Sequence, residues 1–491
     1  MKNALNNENL KLNLFFNIVY QVVTVLTPLI VIPKLSRVFG PSYIGLKSYT
    51  FSIVYYFAVF GVLGLDMYGQ RKIALEKDDI ERRSSNFWTI YLTRFILVSF
   101  SLFLFVVYFI NFSKNPFEKF VFSCWTIYLV REMINPIWFL QGLEKFTLLS
   151  VCEILSQIAY VSCVYLFVNQ KEQLPLYVCI YTIIPLLISL NYFIIVLRHV
   201  NFVKIKKNDM FLIIKESFVY FVPTIATAIY SMADKTMLGV FDVYKVSTGL
   251  YESTEKLIKV ALAISTSSFT IIRTRMSYLY GKGAIEQFKY NSRKFISFSM
   301  FLCWPILFAI VGIVEDFVPI FWGQGFNEVI VLSYLFVLII PALIVSGLLQ
   351  AMYIFPLGLQ GTMNLYYVII ATLNVVMNLI LISYYGIWGA IISSILAESL
   401  LAVILIIKAR KIIETKFFLF YSWKYILAAV FMLGAMKFVS VSVDASPICK
   451  LCFEFIIAVV TYFSGCILLR DNFVVTQSRQ CFLKCYSFLK S

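Results

Sequence analysis

Long apolar runs, separated by short polar segments, dominate the chain. A run of about 20 apolar residues is long enough for a helix to cross the hydrocarbon core of a bilayer. Division of the chain at charged or turn-rich breaks predicts fourteen such spans and an all-α polytopic membrane protein. The predicted spans are approximately 12–33, 43–65, 87–110, 118–140, 147–168, 174–197, 211–233, 248–270, 295–314, 329–352, 364–384, 387–407, 417–438 and 451–469.

The composition excludes a soluble enzyme. The 491 residues are 60% hydrophobic and 14% charged, whereas soluble domains are about 45–50% apolar and about 25% charged. The connectors are too short for a sizeable domain outside the membrane. The sequence also lacks a GxxxxGK[ST] phosphate loop, an HExxH zinc motif and a convincing Ser/His/Asp set. We therefore expect a protein that is not an enzyme and that holds neither a metal nor an organic cofactor.

The distribution of basic residues predicts the orientation in the membrane. The formal net charge is +16, and the Lys and Arg residues cluster in alternate loops, as the positive-inside rule requires. This pattern favours a multi-pass plasma-membrane protein with both termini in the cytoplasm, and we expect no nucleic acid as a partner. Lys34, Arg37 and Lys47 are exceptions, because they crowd the first predicted outer loop. The predicted cytoplasmic clusters are Arg71–Arg83, Arg198–Lys207, Arg273–Lys294, Lys408–Lys416 and the C-terminal tail.

Two short motifs recur at an offset of a little over 200 residues. Gly142–Thr147 is similar to Gly358–Met363, and Tyr43–Leu46 is similar to Ser247–Leu250. Because the offset corresponds to six spans, the two copies would have the same orientation. This pattern predicts two six-helix lobes related by a pseudo-twofold axis along the membrane normal, with the substrate between them near the midplane. The predicted divisions are an N-terminal lobe (1–200), a C-terminal lobe (201–416), and two extra helices with a basic tail (417–491).

Arginine residues within the predicted spans are candidates for substrate binding, because a charge at the bilayer centre is costly. Arg131 lies in the middle of a span, and Pro136 predicts a kink close to it. No acidic residue lies one helical turn from Arg131, and the adjacent Glu132 is expected to point elsewhere on the helix. Arg94 lies about two turns inside its span, where it either snorkels to the cytoplasmic edge or lines a cavity.

Span 8 carries four charged residues. Glu252, Lys256 and Lys259 share one helical face, with Glu255 beside them. Two interpretations stay open: Glu252 pairs with Lys256 and Glu255 with Lys259, or this face lines a water-filled cavity that holds an anion.

Other polar residues in the spans are weaker candidates. Asn17 and Gln21 share a face in span 1, where they either join helices or contact substrate. Asp234 and Lys235 close span 7 at its outer end. Asp234, together with Glu252 and Glu255, is a candidate for coupling transport to H⁺ or Na⁺.

Several stretches, in order along nearly the whole chain, carry a family resemblance. They are Pro33–Gly40 with Ile44-Gly45, Tyr68–Arg71 with Ile73-Ala74, Trp138–Glu144, Asp234–Gly239, Asn374 with Asn378, Gly386, Gly389-Ala390 and Glu398. With these stretches the chain resembles the Wzx-type polysaccharide flippases, whose superfamily also contains the multidrug and toxin extrusion (MATE) antiporters and the lipid II flippases.

The resemblance implies a two-lobed, fourteen-helix fold and an undecaprenyl-diphosphate-linked oligosaccharide as substrate. It also implies a cationic central cavity for the diphosphate, for which Arg94, Arg131, Lys256 and Lys259 are our candidates. Arg37 and Lys235 lie within the resembling stretches. We therefore expect a hydrated, electropositive chamber midway through the bilayer, with membrane lipid and a polysaccharide polymerase as partners.

The leading hypothesis is a flippase that moves the lipid-linked repeat unit from the cytoplasmic to the outer leaflet by alternating access. Neither a sugar headgroup nor a diphosphate crosses hydrocarbon unaided, because each unsatisfied polar group costs several kcal/mol. Two alternatives remain. One is a cation-coupled drug antiporter, whose cavity should be net acidic. The other is a membrane-embedded glycan polymerase or ligase, which the short outer loops and the duplication disfavour.

Overall fold

The computed structural model describes residues 2–203, 207–443, 445–471 and 473–474, with the side chains at 2–14, 17, 18, 207 and 264 left out. The side chain of Asn17, the basic residues Lys204 and Lys206, and the tail from residue 475 lie outside the described part.

The described chain is built from α-helices. In order they are α1 (Lys2–Val62), α2 (Leu65–Leu75), α3 (Ile80–Phe112), α4 (Pro116–Ile134), α5 (Ile137–Gly142), α6 (Phe146–Phe167), α7 (Leu174–Leu197), α8 (Lys207–Phe241), α9 (Val246–Gly281), α10 (Ile285–Phe321), α11 (Glu328–Phe336), α12 (Ile339–Leu349), α13 (Gln360–Tyr385), α14 (Ile387–Ala409), α15 (Phe417–Ser442) and α16 (Pro447–Leu468). A 3₁₀ turn (Lys171–Gln173) precedes α7, and a π-helical turn (Gln350–Ile354) follows α12.

Ten of the described helical segments are long and apolar enough to cross a membrane, and the number rises to twelve if two bent helix pairs each count as one span. The prediction of an all-α polytopic membrane protein is confirmed. The count of fourteen spans stays a prediction.

Glycine and asparagine residues set several of the helix boundaries. Gly40 has φ 65° and ψ 179°, which breaks the helical path of α1 between the first two predicted spans. Near Arg131 the helix ends, in place of the predicted kink. α4 ends at Ile134, and the side chain of Asn135 accepts a hydrogen bond from the Ile137 amide, 3.1 Å away. At the start of α4, the Asn115 side chain caps the helix by accepting a bond from the Phe117 amide at 2.9 Å.

The chain divides into two compact units, Met1–Gly249 and Leu250–Ser491. The first unit comprises α1 to α8 and the first residues of α9, and the second comprises the rest of α9 and α10 to α16. The predicted three-part division at residues 200 and 416 stays a prediction.

In the first unit, two of the resembling stretches pack against each other. Gly69 on α2 lies so close to the Trp138 ring of α5 that an added Cβ would lie 2.5 Å from Cε3. A Cβ on Gly142 would lie 2.8 Å from the Cβ of Ile73. Trp138 is fully buried and stacks on Phe87 of α3, with ring centroids 5.7 Å apart. Small residues therefore let α2 and α5 approach closely and fix α2 on a rigid base.

In the second unit, α15 and α16 are tied to α10 by buried hydroxyl groups. Tyr425 and Ser297 share a hydrogen bond at 2.8 Å, and Tyr462 donates to the Phe301 carbonyl at 2.7 Å. Outside the apolar segments, Arg293 binds both carboxylate oxygens of Glu414, at 2.7 and 2.6 Å. These bonds lower the pKa of Glu414 below its ordinary value, because they favour the ionised form.

Candidate functional site

A buried charge network joins three helices of the first unit. Arg94 on α3 is fully buried, and its Nη2 donates to Oε2 of Glu132 on α4 at 2.8 Å. The Nε of Arg94 donates to the Glu132 carbonyl at 2.6 Å, and its Nη1 binds Asp66 of α2. These partners hold the Arg94 guanidinium inside the protein without exposed surface. Its predicted contact with substrate stays a prediction.

Arg131 binds the other oxygen of the same carboxylate. Its Nη1 lies 2.8 Å from Oε1 of Glu132. The expectation that Glu132 points away from Arg131 was wrong, because a long guanidinium side chain can fold back to a neighbour on the same helix. The Arg131 side chain keeps 23% of its surface exposed, and its Nε is buried without a hydrogen-bond partner in the described structure.

A cavity of about 200 Å³ lies beside Arg131, between α4, α6 and α7. The guanidinium carbon of Arg131 lies 6.0 Å from the Tyr128 ring centroid, and Tyr160 shares a hydrogen bond with Tyr177 at 3.0 Å. The cavity thus combines a guanidinium, a carboxylate, an amide, hydroxyl groups and aromatic faces. Its lining residues are Tyr128, Arg131, Glu153, Ser156, Gln157, Tyr160, Tyr181 and Pro185.

The charges of this network are nearly balanced. Asp66, Glu132 and Glu153 supply three carboxylates, and Arg94 and Arg131 supply two guanidinium groups. The described network in the first unit is therefore not electropositive, which differs from the expectation for the substrate chamber. The chamber itself stays a prediction.

The charged face of α9 lies in the second unit. Lys256 pairs with Glu252 at 2.5 Å, and Lys259 pairs with Glu255 at 2.6 Å. These are the two ion pairs of the first interpretation given for span 8. The Lys256 and Lys259 side chains nevertheless keep 34% and 61% of their surface exposed, so the protein does not fully enclose the pairs. Anion binding by these lysines stays a prediction.

The other predicted site residues with described side chains lie in the first unit, Gln21 and Arg37 on α1 and Asp234 and Lys235 on α8. Arg37 is exposed, and its Nη1 donates to the Pro33 carbonyl at 3.4 Å. Gln21 is exposed, Asp234 is buried and Lys235 is half-buried. Lys34, the companion of Arg37 in the same stretch, donates to the Tyr165 carbonyl at 2.6 Å.

Sequence reasoning missed three elements of the site. Glu153 is a charged residue within a predicted span, a signal that could have identified it. The partnership of Asp66 with Arg94 carried no such signal, because Asp66 lies just beyond its span. The tyrosine residues of the cavity look like ordinary apolar positions in a sequence with 31 tyrosines.

The second unit contains a larger, apolar cavity of about 660 Å³ between α9, α10 and α16. Aromatic and aliphatic side chains dominate it, and Lys294 adds a cation. Its other lining residues are Ser268, Ile271, Ile272, Phe295, Phe298, Phe301, Phe463, Phe473 and Val474.

The fold is that of a class of membrane transporters. The structure is similar to that of the lipid II flippase MurJ in an inward closed conformation, with a TM-score of 0.72 and 14% identity over 94% of this chain and 99% of that one. It is also similar to an inward-facing multidrug resistance MATE family transporter of the MOP superfamily, with a TM-score of 0.61 and 11% identity over 85% and 95% of the two chains.

Residues 10–273 match the polysaccharide biosynthesis protein family, and the chain belongs to that family. It is 25% identical over 238 residues to the protein named "Putative O-antigen transporter" of Escherichia coli (strain K12). That match spans 48% of this chain and 57% of the curated relative. These matches confirm the predicted resemblance to the Wzx-type flippases.

Proposed function

We propose that the protein is a flippase that translocates an undecaprenyl-diphosphate-linked oligosaccharide from the cytoplasmic to the outer leaflet of the plasma membrane. Family membership, the likeness to an O-antigen transporter and the flippase fold support this proposal. The observation that carries it is the polar cavity of the first unit, into which α4 brings the partly exposed guanidinium of Arg131. Both termini would then lie in the cytoplasm, as the basic loops predict.

The cavity offers the chemistry that a glycan phosphate requires. Tyrosine rings provide apolar faces for sugar rings, and Ser156, Gln157 and Glu153 can exchange hydrogen bonds with hydroxyl groups. Arg131 Nη1 is engaged with Glu132, but a guanidinium carries five N–H donors and can bind a phosphate oxygen at the same time. These groups would replace the water that the headgroup loses inside the membrane.

The lipid chain would have a separate apolar surface. The cavity of the second unit is lined by phenylalanine and isoleucine side chains, on which a polyprenyl chain can lie. Lys294 at this cavity would attract the phosphate end of such a lipid. Lys256, Lys259, Arg37 and Lys235 are further proposed contacts for the substrate, and Asp234, Glu252 and Glu255 are proposed to couple its movement to H⁺ or Na⁺.

The direct test is translocation by the full chain in proteoliposomes. A lipid-linked oligosaccharide with a diphosphate is incorporated in both leaflets, and its accessibility to an external glycan-modifying enzyme is followed over time. We expect the inner pool to become accessible only in vesicles that contain the protein. Accessibility at the rate of protein-free vesicles would contradict the proposal. Imposed H⁺ and Na⁺ gradients then test the coupling.

The carboxylates of the first unit favour a second candidate, a cation-coupled drug antiporter. Three carboxylates accompany two guanidinium groups there, and an acidic excess suits a cationic passenger. A knockout strain separates the two functions. Loss of surface polysaccharide with unchanged drug susceptibility supports the flippase, and increased susceptibility to cationic drugs with normal polysaccharide supports the antiporter.

A further inference from the structure

A second cavity, with charged side chains in its lining, lies outside the network of Arg94 and Arg131. It has a volume of about 370 Å³ and lies between α2 and α8 in the first unit. We call it the α2–α8 groove. Its lining residues are Tyr68, Arg71, Lys72 and Leu75 from α2, and Glu216, Val219 and Tyr220 from α8.

Hydrogen bonds across the groove hold its polar groups in place. Tyr68 donates to Oε2 of Glu216 at 2.7 Å, which engages that carboxylate. Arg71 Nη1 donates to the Tyr220 hydroxyl at 2.8 Å, so the guanidinium is oriented while its other N–H groups stay available to a ligand. Lys72 lies 3.8 Å from Glu76, a long and half-exposed pair that a stronger anion can displace.

Most of the groove surface is apolar. Leu75 and Val219 are 73% and 74% exposed, on the two helices that form its walls. Exposed aliphatic side chains beside two cations match a ligand with a hydrocarbon chain and an anionic headgroup. The close packing of Gly69 on Trp138 fixes α2, so Arg71 and Lys72 are presented on a rigid element.

The position along the chain indicates the side of the membrane. α2 follows the second predicted span and opens the basic segment that the positive-inside rule assigns to the cytoplasm. Adjacent cations match the two or more charges of a diphosphate better than the single charge of a common phospholipid phosphate.

We propose that the α2–α8 groove binds a polyprenyl diphosphate at the cytoplasmic surface of the membrane, as a loading site for the lipid-linked substrate. Arg71 binds phosphate oxygens through two N–H groups, Lys72 binds the second phosphate, and Leu75 and Val219 contact the first isoprene units. This loading role rests on the proposed flippase function, whereas the binding itself can be measured without transport.

The test is equilibrium binding of farnesyl diphosphate to the full chain in nanodiscs of phosphatidylcholine. Arg71→Gln with Lys72→Gln removes two groove cations. Lys77→Gln with Arg82→Gln is the matched control, because it removes two exposed cations of the same segment that pair with Glu144 and Asp79 outside the groove. We expect the groove variant to weaken binding by at least about tenfold, since each lost charge-assisted bond is significant, and the control to change it less than about twofold.

Two outcomes contradict a specific diphosphate site. Equal weakening in the two double variants means that only the net charge of the segment matters. Equal competition by phosphatidylglycerol in the nanodiscs means that the groove accepts any anionic lipid. Thermal unfolding of both variants shows that they are folded. If the groove variant binds farnesyl diphosphate more weakly but the wild-type protein fails to translocate substrate, the binding site is supported and the flippase function is contradicted. If binding and translocation are both unchanged in the groove variant, the site fails alone.

Discussion

Arg94 and Arg131 bind opposite oxygens of one carboxylate, that of Glu132. Arg94 Nη2 lies 2.8 Å from Oε2 and Arg131 Nη1 lies 2.8 Å from Oε1. The two arginine residues nevertheless differ in their surroundings, because the Arg94 side chain has no exposed surface and that of Arg131 keeps 23%. Arg94 therefore serves the structure of the first unit, and Arg131 can serve a ligand.

Replacement of Arg94 should destabilise the protein. Arg94→Met leaves Asp66 without its guanidinium partner, and it leaves Glu132 with Arg131 alone. Removal of one member of a buried ion pair costs about 3–5 kcal/mol, and the loss here should lie at the lower end of that range because Asp66 is 42% exposed. We expect a clearly lower temperature of thermal unfolding in detergent.

Arg131→Met is the matched control for that measurement. Glu132 keeps two bonds to Arg94 in this variant, so its unfolding temperature should fall by much less. Equal losses in the two variants would mean that the pairs with Arg94 contribute no more than the pair with Arg131.

Transport should depend on the guanidinium of Arg131. In cells with normal insertion of the variant, Arg131→Ala should largely abolish surface polysaccharide, because the cavity of α4, α6 and α7 loses its guanidinium. Arg82→Gln removes a side chain that is 76% exposed and paired with Asp79, and polysaccharide should stay at the wild-type level. Wild-type polysaccharide in Arg131→Ala cells would remove Arg131 from the mechanism.

The sequence is sufficient for the fold class because an apolar run of membrane-spanning length is a strong signal in itself. It also identifies Arg131 and the charged face of α9, since charged residues within such runs stand out. The pairing of Glu252 with Lys256 was one of two open interpretations, because helical spacing shows which side chains can meet and not which of them do.

Partners from distant segments could not be predicted in this way. Asp66 reaches Arg94 only because α2 packs on α3 and α5, and the close approach of Gly69 to Trp138 that permits this packing has no local pattern. The orientation of Glu132 depends on side-chain rotamers, which the spacing along one helix does not fix. Contacts between distant segments could therefore be identified only from the structure, whereas the helices could be predicted from the sequence.

A substitution of Glu454 on α16 should not destabilise the protein, in contrast to Arg94→Met. It has no exposed surface, and neither carboxylate oxygen has a hydrogen-bond partner among the described residues. Glu454→Gln removes the cost of a charge at this position, so we expect unchanged stability or a gain of about 1 kcal/mol. The measurement is thermal unfolding at neutral pH.

Asp316→Asn is the contrasting variant of the same region. Asp316 accepts bonds from Lys450 at 3.0 Å and Ser440 at 3.2 Å, so its neutral replacement weakens a formed ion pair and should lower the unfolding temperature. Marked destabilisation by Glu454→Gln would show that its carboxylate has a structural partner after all.

Gly45 and Gly249, which occupy matching positions in the predicted duplication, face each other in the first unit. A Cβ on Gly45 would overlap the Lys245 carbonyl oxygen and lie 2.8 Å from the Gly249 amide nitrogen. A Cβ on Gly249 would overlap the Pro41 carbonyl oxygen and lie 3.0 Å from the Gly45 amide nitrogen. Because the overlapping atoms belong to the backbone, no side chain can move aside to make room.

We therefore expect Gly45→Ala and Gly249→Ala each to destabilise the protein by about 1–3 kcal/mol, the usual cost of overpacking. Gly434→Ala on α15 is the control, since its Cβ would meet nothing within 4 Å and alanine stabilises a helix interior by about 0.5–1 kcal/mol relative to glycine. Both alanines act on one contact, so the double variant should lose less stability than the two single losses combined. Thermal unfolding of the three variants and the control provides the measurement, and fully additive losses would mean that the two glycines act at independent sites.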